Sequence, residues 1–140
     1  MKRLSTLFGR VLMGAAALFG LGQPDKLRPL DVEMLGGATA GVSQTLKAGS
    51  VTIAADIAAA GLSEGETAAL IGSGIRLRVY AFNHYKSKKP EAKELKDVTI
   101  LTGDAKTARQ RFAAHEAVAE GVHLARDLIN EPPNHLHPVE

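Results

Sequence analysis

The sequence predicts an α/β domain: about three mainly parallel strands, flanking helices, and a long helix at the C-terminal end. Two observations carry this. Short β-branched runs, Val51-Thr52-Ile53 and Val98-Thr99-Ile100, alternate along the chain with segments of helical apolar spacing. Strands separated by helices in this way pair in parallel through right-handed crossovers. A chain of 140 residues allows one domain, able to bury roughly 68–70% of its unfolded surface.

Composition narrows the chemistry. The chain is 45% hydrophobic and 23% charged, ordinary for a globular protein, but it has no Trp, two Tyr and four Phe, so its core must rely on Leu, Ile, Val and Ala. The absence of Cys removes disulfides, thiolate nucleophiles and Cys-ligated zinc, and fits a reducing cytosol. The net charge of +2 is mild. It is also uneven, because residues 75–96 hold seven Lys/Arg against two Glu.

Residues 1–22 admit two readings. Met1-Lys2-Arg3 followed by an apolar run has the outline of an export signal, with Ala15-Ala16-Ala17 as small residues for cleavage. Arg10 interrupts that run, however, and the apolar stretch from Val11 to Gly22 is twelve residues, against about twenty for a membrane span. No membrane association is expected. The other reading is a buried strand followed by a Gly-rich turn at Gly20-Leu21-Gly22-Gln23-Pro24.

The elements then follow in order. Leu30 to Ala48 carries Leu30, Met34, Leu35, Ala38, Val42 and Leu46 at helical spacing, with Asp31 and Glu33 near the positive end of the helix dipole. Gly36, Gly37 and Gly41 weaken this helix but leave a smooth face for close packing. Residues 51–56 read as a buried strand. Ser63-x-x-Glu66 matches a capping box and starts a second helix. Residues 75–79 fit a strand as well as a helix, and the helix is carried to about Tyr85 on the resemblance given below. Lys86 to Lys96 is a charged connection containing Pro90. Residues 98–101 form the next strand. Asp104 caps a helix running to about Asn130, where Ala108, Phe112, Val118, Val122, Ala125 and Ile129 form an apolar face opposite Arg109, Glu116, Glu120 and Asp127. At 1.5 Å per residue that helix is about 39 Å long. Two prolines, Pro132 and Pro133, stop it.

Few motifs offer catalysis. There is no His-Glu-x-x-His pair and no phosphate loop. Gly72-Ser73-Gly74 lies inside a predicted helix, where close helix packing explains it better than a dinucleotide. Gly20-Leu21-Gly22 lacks a third glycine and reads as a tight turn. His115 and His123 lie eight residues apart, about 12 Å along a helix, too far to share an ion bound at about 2.0–2.1 Å per ligand. His135 and His137 flank Leu136 in the terminal segment and could share an ion only with help from carboxylates elsewhere. The basic residues 76–96, interleaved with Tyr80, Phe82 and Tyr85, could meet phosphates and stack bases, but the aromatics are equally needed for a buried stripe.

Two stretches carry a family resemblance. Gly74-Ile75-Arg76-Leu77-Arg78-Val79-Tyr80-Ala81-Phe82-Asn83-His84-Tyr85-Lys86 is similar to a helix ending in Tyr-x-Phe-x-x-Tyr-Lys. Val118-Ala119-Glu120-Gly121-Val122-His123-Leu124-Ala125-Arg126-Asp127-Leu128, leading into Asn130-Glu131-Pro132-Pro133-Asn134, is similar to a domain junction of the form Asn-x-Pro-x-Asn. Both resemble the leucyl aminopeptidase family, metallopeptidase family M17, and the likeness runs from about Gly20 to Glu140. It implies that residues 23–130 are a macro-like N-terminal domain and that residues 131–140 begin a linker to a catalytic domain, so that the chain is expected to be cut at a domain boundary. It also implies a cytoplasmic, metal-dependent exopeptidase assembled as a hexamer, with the catalytic domain and sister subunits as partners. The family's two divalent metals, Zn or Mn, and its catalytic Lys and Arg come from the C-terminal domain with its Asn-Thr-Asp-Ala-Glu-Gly-Arg signature. Nothing in this sequence matches those positions, so no catalytic, cofactor-binding or metal-ligating residue is expected here, and the role expected is structural. The family's domain also begins with further strands before the segment matching Leu18-Phe19-Gly20-Leu21-Gly22, which leaves part of the sheet missing. The alternative expectation is an independent module that binds nucleic acid or polyanions through residues 76–96, or a small exported protein.

Overall fold

A computed structural model describes residues 14–23, 26–87 and 95–133. The elements run α1 (Pro29–Thr45), β1 (Ser50–Ala54), α2 (Glu64–Arg78), β2 (Asp97–Leu101) and α3 (Ala105–Asn130). β1 and β2 pair in parallel, with Val51 opposite Val98 and Ile53 opposite Ile100. Residues 14–23 hold no helix or strand and Leu18 is 99% exposed, so the expected three strands become two among the described residues. The remainder of the expected N-terminal strand or signal, residues 1–13, lies outside them, as do residues 88–94 of the charged connection and residues 134–140 of the expected linker.

The helix starts follow local chemistry. Pro29 fits the first helical position of α1, where its missing N–H costs nothing. The Asp31 carboxylate accepts the Arg28 backbone N–H at 2.9 Å and both Nε and a terminal nitrogen of its guanidinium, at 3.0 and 2.9 Å. These bonds, with the Arg28 charge, hold Asp31 down to a pKa of about 2. Ser63 and Glu66 form the expected capping box on α2: the Glu66 backbone N–H reaches Ser63 Oγ at 3.3 Å while Ser63 N–H reaches Glu66 Oε2 at 3.1 Å. Asp104 caps α3 by accepting the Thr107 N–H at 3.0 Å.

The core lies where α2 packs between α1 and α3. Val32, Ala40, Ala68, Ile71 and Ile75 are buried there, with Ile53 and Ile100 packed against them from the sheet. Glycines set the spacing. A Cβ on Gly36 would overlap the Ile71 carbonyl oxygen and lie 2.9 Å from its carbon, and one on Gly74 would do the same at Glu33. A Cβ on Gly72 would meet the Phe112 ring of α3 at 3.0 Å. Gly72-Ser73-Gly74 is therefore a packing device that lets α2 approach a helix on each side.

Two expectations need correction. α2 ends at Arg78 instead of continuing to Tyr85, because the aromatic residues beyond it turn toward α3. The apolar face expected on α3 is two faces. Ala108 and Phe112 turn inward together with Ala119, which is 1% exposed, whereas Val118 and Ile129 are 64% and 82% exposed. At 3.6 residues per turn, positions 108, 112, 115, 119 and 123 form one line, and the polar His115 and His123 occupy two of its places.

Candidate interaction site at the end of the long helix

Segment 79–87, which follows α2, folds over the last turns of α3. Tyr80 is half-buried, and its hydroxyl donates to Asp127 Oδ1 at 2.8 Å while accepting from Asn130 Nδ2 at 3.3 Å. Asn130 Nδ2 also reaches the Arg126 carbonyl at 2.8 Å. The Arg126 guanidinium sits 4.9 Å from the Tyr80 ring centre and donates to the Leu77 carbonyl at 3.4 Å, a cation–π contact that also covers the end of α2. The His123 ring packs against the Tyr80 ring as well, at 5.2 Å between centres. Five residues beyond Tyr80, the Tyr85 hydroxyl donates to Glu131 Oε2, and the rings of Phe82, His84 and Tyr85 pack on one another with centres 4.9–6.4 Å apart, His84 edge-on to Tyr85.

Both tyrosines favour their neutral form. Burial, then the hydrogen bond to Asp127, pushes the Tyr80 phenol up; for Tyr85 the bond to Glu131 leads and burial follows. A phenolate beside either carboxylate would lose its donor and meet a like charge. The arrangement is a two-point latch. It fixes the end of α3, and with it the point where the chain passes into Pro132-Pro133.

No reacting constellation accompanies the latch. Gly61-Leu62-Ser63-Glu64-Gly65 has the Gly-x-Ser-x-Gly spacing of a nucleophile elbow, but Ser63 Oγ is engaged with Glu66 Oε2 at 3.1 Å and with the Glu66 N–H. It is a helix cap. Among the described residues no group of three or more His, Asp or Glu is placed to hold a metal ion, so these residues do not fit a two-metal site. His115 and His123 line the inner face of α3, and His123 Nε2 is buried without a hydrogen-bond partner. His135 and His137 lie outside the described residues.

Among the described residues Arg78 stands apart from Arg76 and Lys96. Arg78 lies along α1, its Nε 3.8 Å from where a Gly41 Cβ would stand. Arg76 and Lys96 line a cavity of about 510 Å³ between α2, β2 and α3, joined by Arg109 and floored by Ile75, Ile100 and Phe112. Lys88, Lys89 and Lys93 lie outside the described residues. Gly20-Leu21-Gly22 turns with Gly22 at φ 78° and borders a second cavity of about 520 Å³ against α1. Among the described residues no helix is long and apolar enough to cross a membrane.

The residues that form the latch were not legible as a site. Tyr80 and Tyr85 stand out in the Tyr-x-Phe-x-x-Tyr-Lys pattern, but their partners lie 46 to 50 residues away. The signal that could have found them is the unusual pairing of a patterned aromatic segment with polar residues Asp127, Asn130 and Glu131 at the end of an apolar helix.

Known proteins match most of this chain. The family model for the N-terminal domain of the cytosol aminopeptidase family matches residues 6–89. A probable cytosol aminopeptidase of Chelativorans sp. (strain BNC1) is 44% identical over 128 residues, 89% of this chain and 25% of that protein. One from Rhodopseudomonas palustris (strain ATCC BAA-98 / CGA009) is 40% identical over 133 residues, 91% of this chain and 26% of that protein. This chain thus spans about a quarter of the length of the curated relatives it matches. Among solved structures, the bottromycin maturation enzyme BotP in complex with Mn has the same fold over 82% of this chain and 23% of its own, with a TM-score of 0.65 and 24% identity. The chain belongs to the cytosol aminopeptidase family and carries that family's N-terminal domain.

Proposed function

We propose that this chain is the non-catalytic domain of a leucyl aminopeptidase, a metal-dependent cytoplasmic exopeptidase that releases N-terminal amino acids from peptides, and that its role is structural. On this reading residues 23–130 are a macro-like unit, residues 131–140 lead toward the catalytic domain, and sister subunits complete the assembly. The two divalent metals and the hydrolytic chemistry belong to the catalytic domain. The observation that supports this best is the latch: two tyrosines from a segment characteristic of the family fix the end of the helix that leads out of the domain. A helix end held this way gives the following polypeptide a defined starting direction, which is what a rigid two-domain enzyme requires.

The test is a graft. In the Chelativorans relative the segment matching this chain is replaced by it, and a second variant of that relative lacks the segment altogether. The grafted protein is expected to assemble and to cleave a leucine amide, the deleted one to lose assembly, and the isolated chain to cleave nothing. A deleted protein that assembles and cleaves as well as the graft would refute the structural role.

A further inference from the structure

α3 has a second face that no other described residue covers. Its inner line, through Phe112, Ala119 and His123, packs on α2 and the latch segment. Opposite it stand Gly121, Leu124 and Leu128, flanked by Val118, Val122 and Ile129, all exposed. A run of large apolar side chains over about three turns of one helix is the kind of patch that marks an interaction surface. Gly121 stands at its centre. A glycine in a helix interior weakens the helix relative to Ala, and Gly36, Gly72 and Gly74 each return that loss by letting a neighbouring helix approach. Nothing lies within 4 Å of a Cβ built on Gly121. The same device is present with no element among the described residues to use it.

We infer that the Gly121 face of α3 seats a closely crossing element of the catalytic part of the enzyme, whose backbone approaches at Gly121 while Val118, Leu124 and Ile129 pack around it. This rests on the proposed function above. Three observations select that occupant. The curated relatives are about four times as long as the segment they share with this chain. The face runs to the last turn of α3 at Ile129, next to Pro132, so polypeptide following the domain is tethered beside it at high effective concentration. The latch grips the opposite side of the same turns through Asp127 and Asn130, which holds the apolar side outward.

The chain has no Cys, so a thiol placed in it reports on its own position, in the graft once any cysteines of the relative's part are replaced. Leu124→Cys in the isolated chain should label rapidly with a maleimide, and in the grafted aminopeptidase at least tenfold more slowly. Gln110→Cys, near the start of α3, should label alike in both. Adding Gly121→Leu to the graft should restore rapid labelling at position 124. An active, assembled graft in which position 124 labels as fast as in the isolated chain would overturn this inference and leave the domain reading standing. Labelling that slows with concentration in the isolated chain would overturn it in favour of a second copy. Independently of any graft, Gly121→Ala in the isolated chain should raise the folding equilibrium constant by about fivefold, the helix preference of Ala over Gly; a fall would show that the domain itself uses this glycine and would also overturn the inference.

Discussion

Gly74→Ala tests whether backbone contact between α1 and α2 holds the domain together. The new Cβ would overlap the Glu33 carbonyl oxygen and stand 2.9 Å from its carbon and 3.0 Å from the Gly37 nitrogen. Carbon atoms rest at about 3.5–4.0 Å, and a gap of 0.5–1 Å already forfeits roughly a quarter to a half of a dispersion contact. No side chain can swing aside, because every atom in the way is backbone. The two helices must part by about 1 Å, loosening the packing of Val32, Ile71 and Ile75. Overpacking of this kind costs about 1–3 kcal/mol, and backbone against backbone belongs at the upper end. Better helix preference returns about 1 kcal/mol, which leaves a net loss of about 2 kcal/mol. For a chain of this size that lowers Tm by about 7 °C. Urea unfolding of the parent and the variant, followed by circular dichroism, measures it directly. A variant as stable as the parent would refute the close crossing of α1 and α2 on which the whole fold description stands.

Three further outcomes are expected. Because Tyr80 and Tyr85 hold their protons more tightly when folded, their contribution to stability is complete below the ordinary tyrosine value of about 10 and is lost as pH rises through their higher folded values; the Y80F/Y85F double variant should lack this alkaline slope in a series of urea titrations. Asp31 has the opposite sign: its pKa is lowered to about 2, so its contribution is present above about 4 and lost as pH falls through about 2, and Asp31→Asn should flatten the acid limb of the same measurement. Ser63→Ala removes the cap of α2 and should cost about 0.5–2 kcal/mol in urea unfolding at neutral pH; an unchanged midpoint would contradict the capping role.

Local chemistry was the legible part of this fold. The Ser63 and Glu66 box, the Asp104 cap and the stop after Asn130 all depend on residues within three or four positions of each other, and all appear at the expected places. The glycines of α1 and α2 were readable as packing positions because a glycine inside a helix needs a reason. What failed was long range. The end of α2 at Arg78 is set by Tyr80 reaching a carboxylate 47 residues away, which no local pattern encodes. On α3 the apolar residues are too many for one face, and composition alone did not separate the side that Ala119 buries from the side on which Val118 and Ile129 stand exposed. The polar His115 and His123 on the inner line disguised it further. The latch was invisible for the same reason, since its two halves come from opposite ends of the segment between α2 and the close of α3.

The most direct measurement is amide hydrogen exchange along α3, in the isolated chain and in the same chain grafted onto the catalytic part of the Chelativorans relative. If α3 joins two domains, residues 118–130 should exchange at least tenfold more slowly in the graft, while residues 107–111 near the start of the helix, packed on α2 in both, should exchange alike. Equal exchange at residues 118–130 in the two proteins would contradict the account, because the exposed face of the helix would then remain uncovered in the grafted protein.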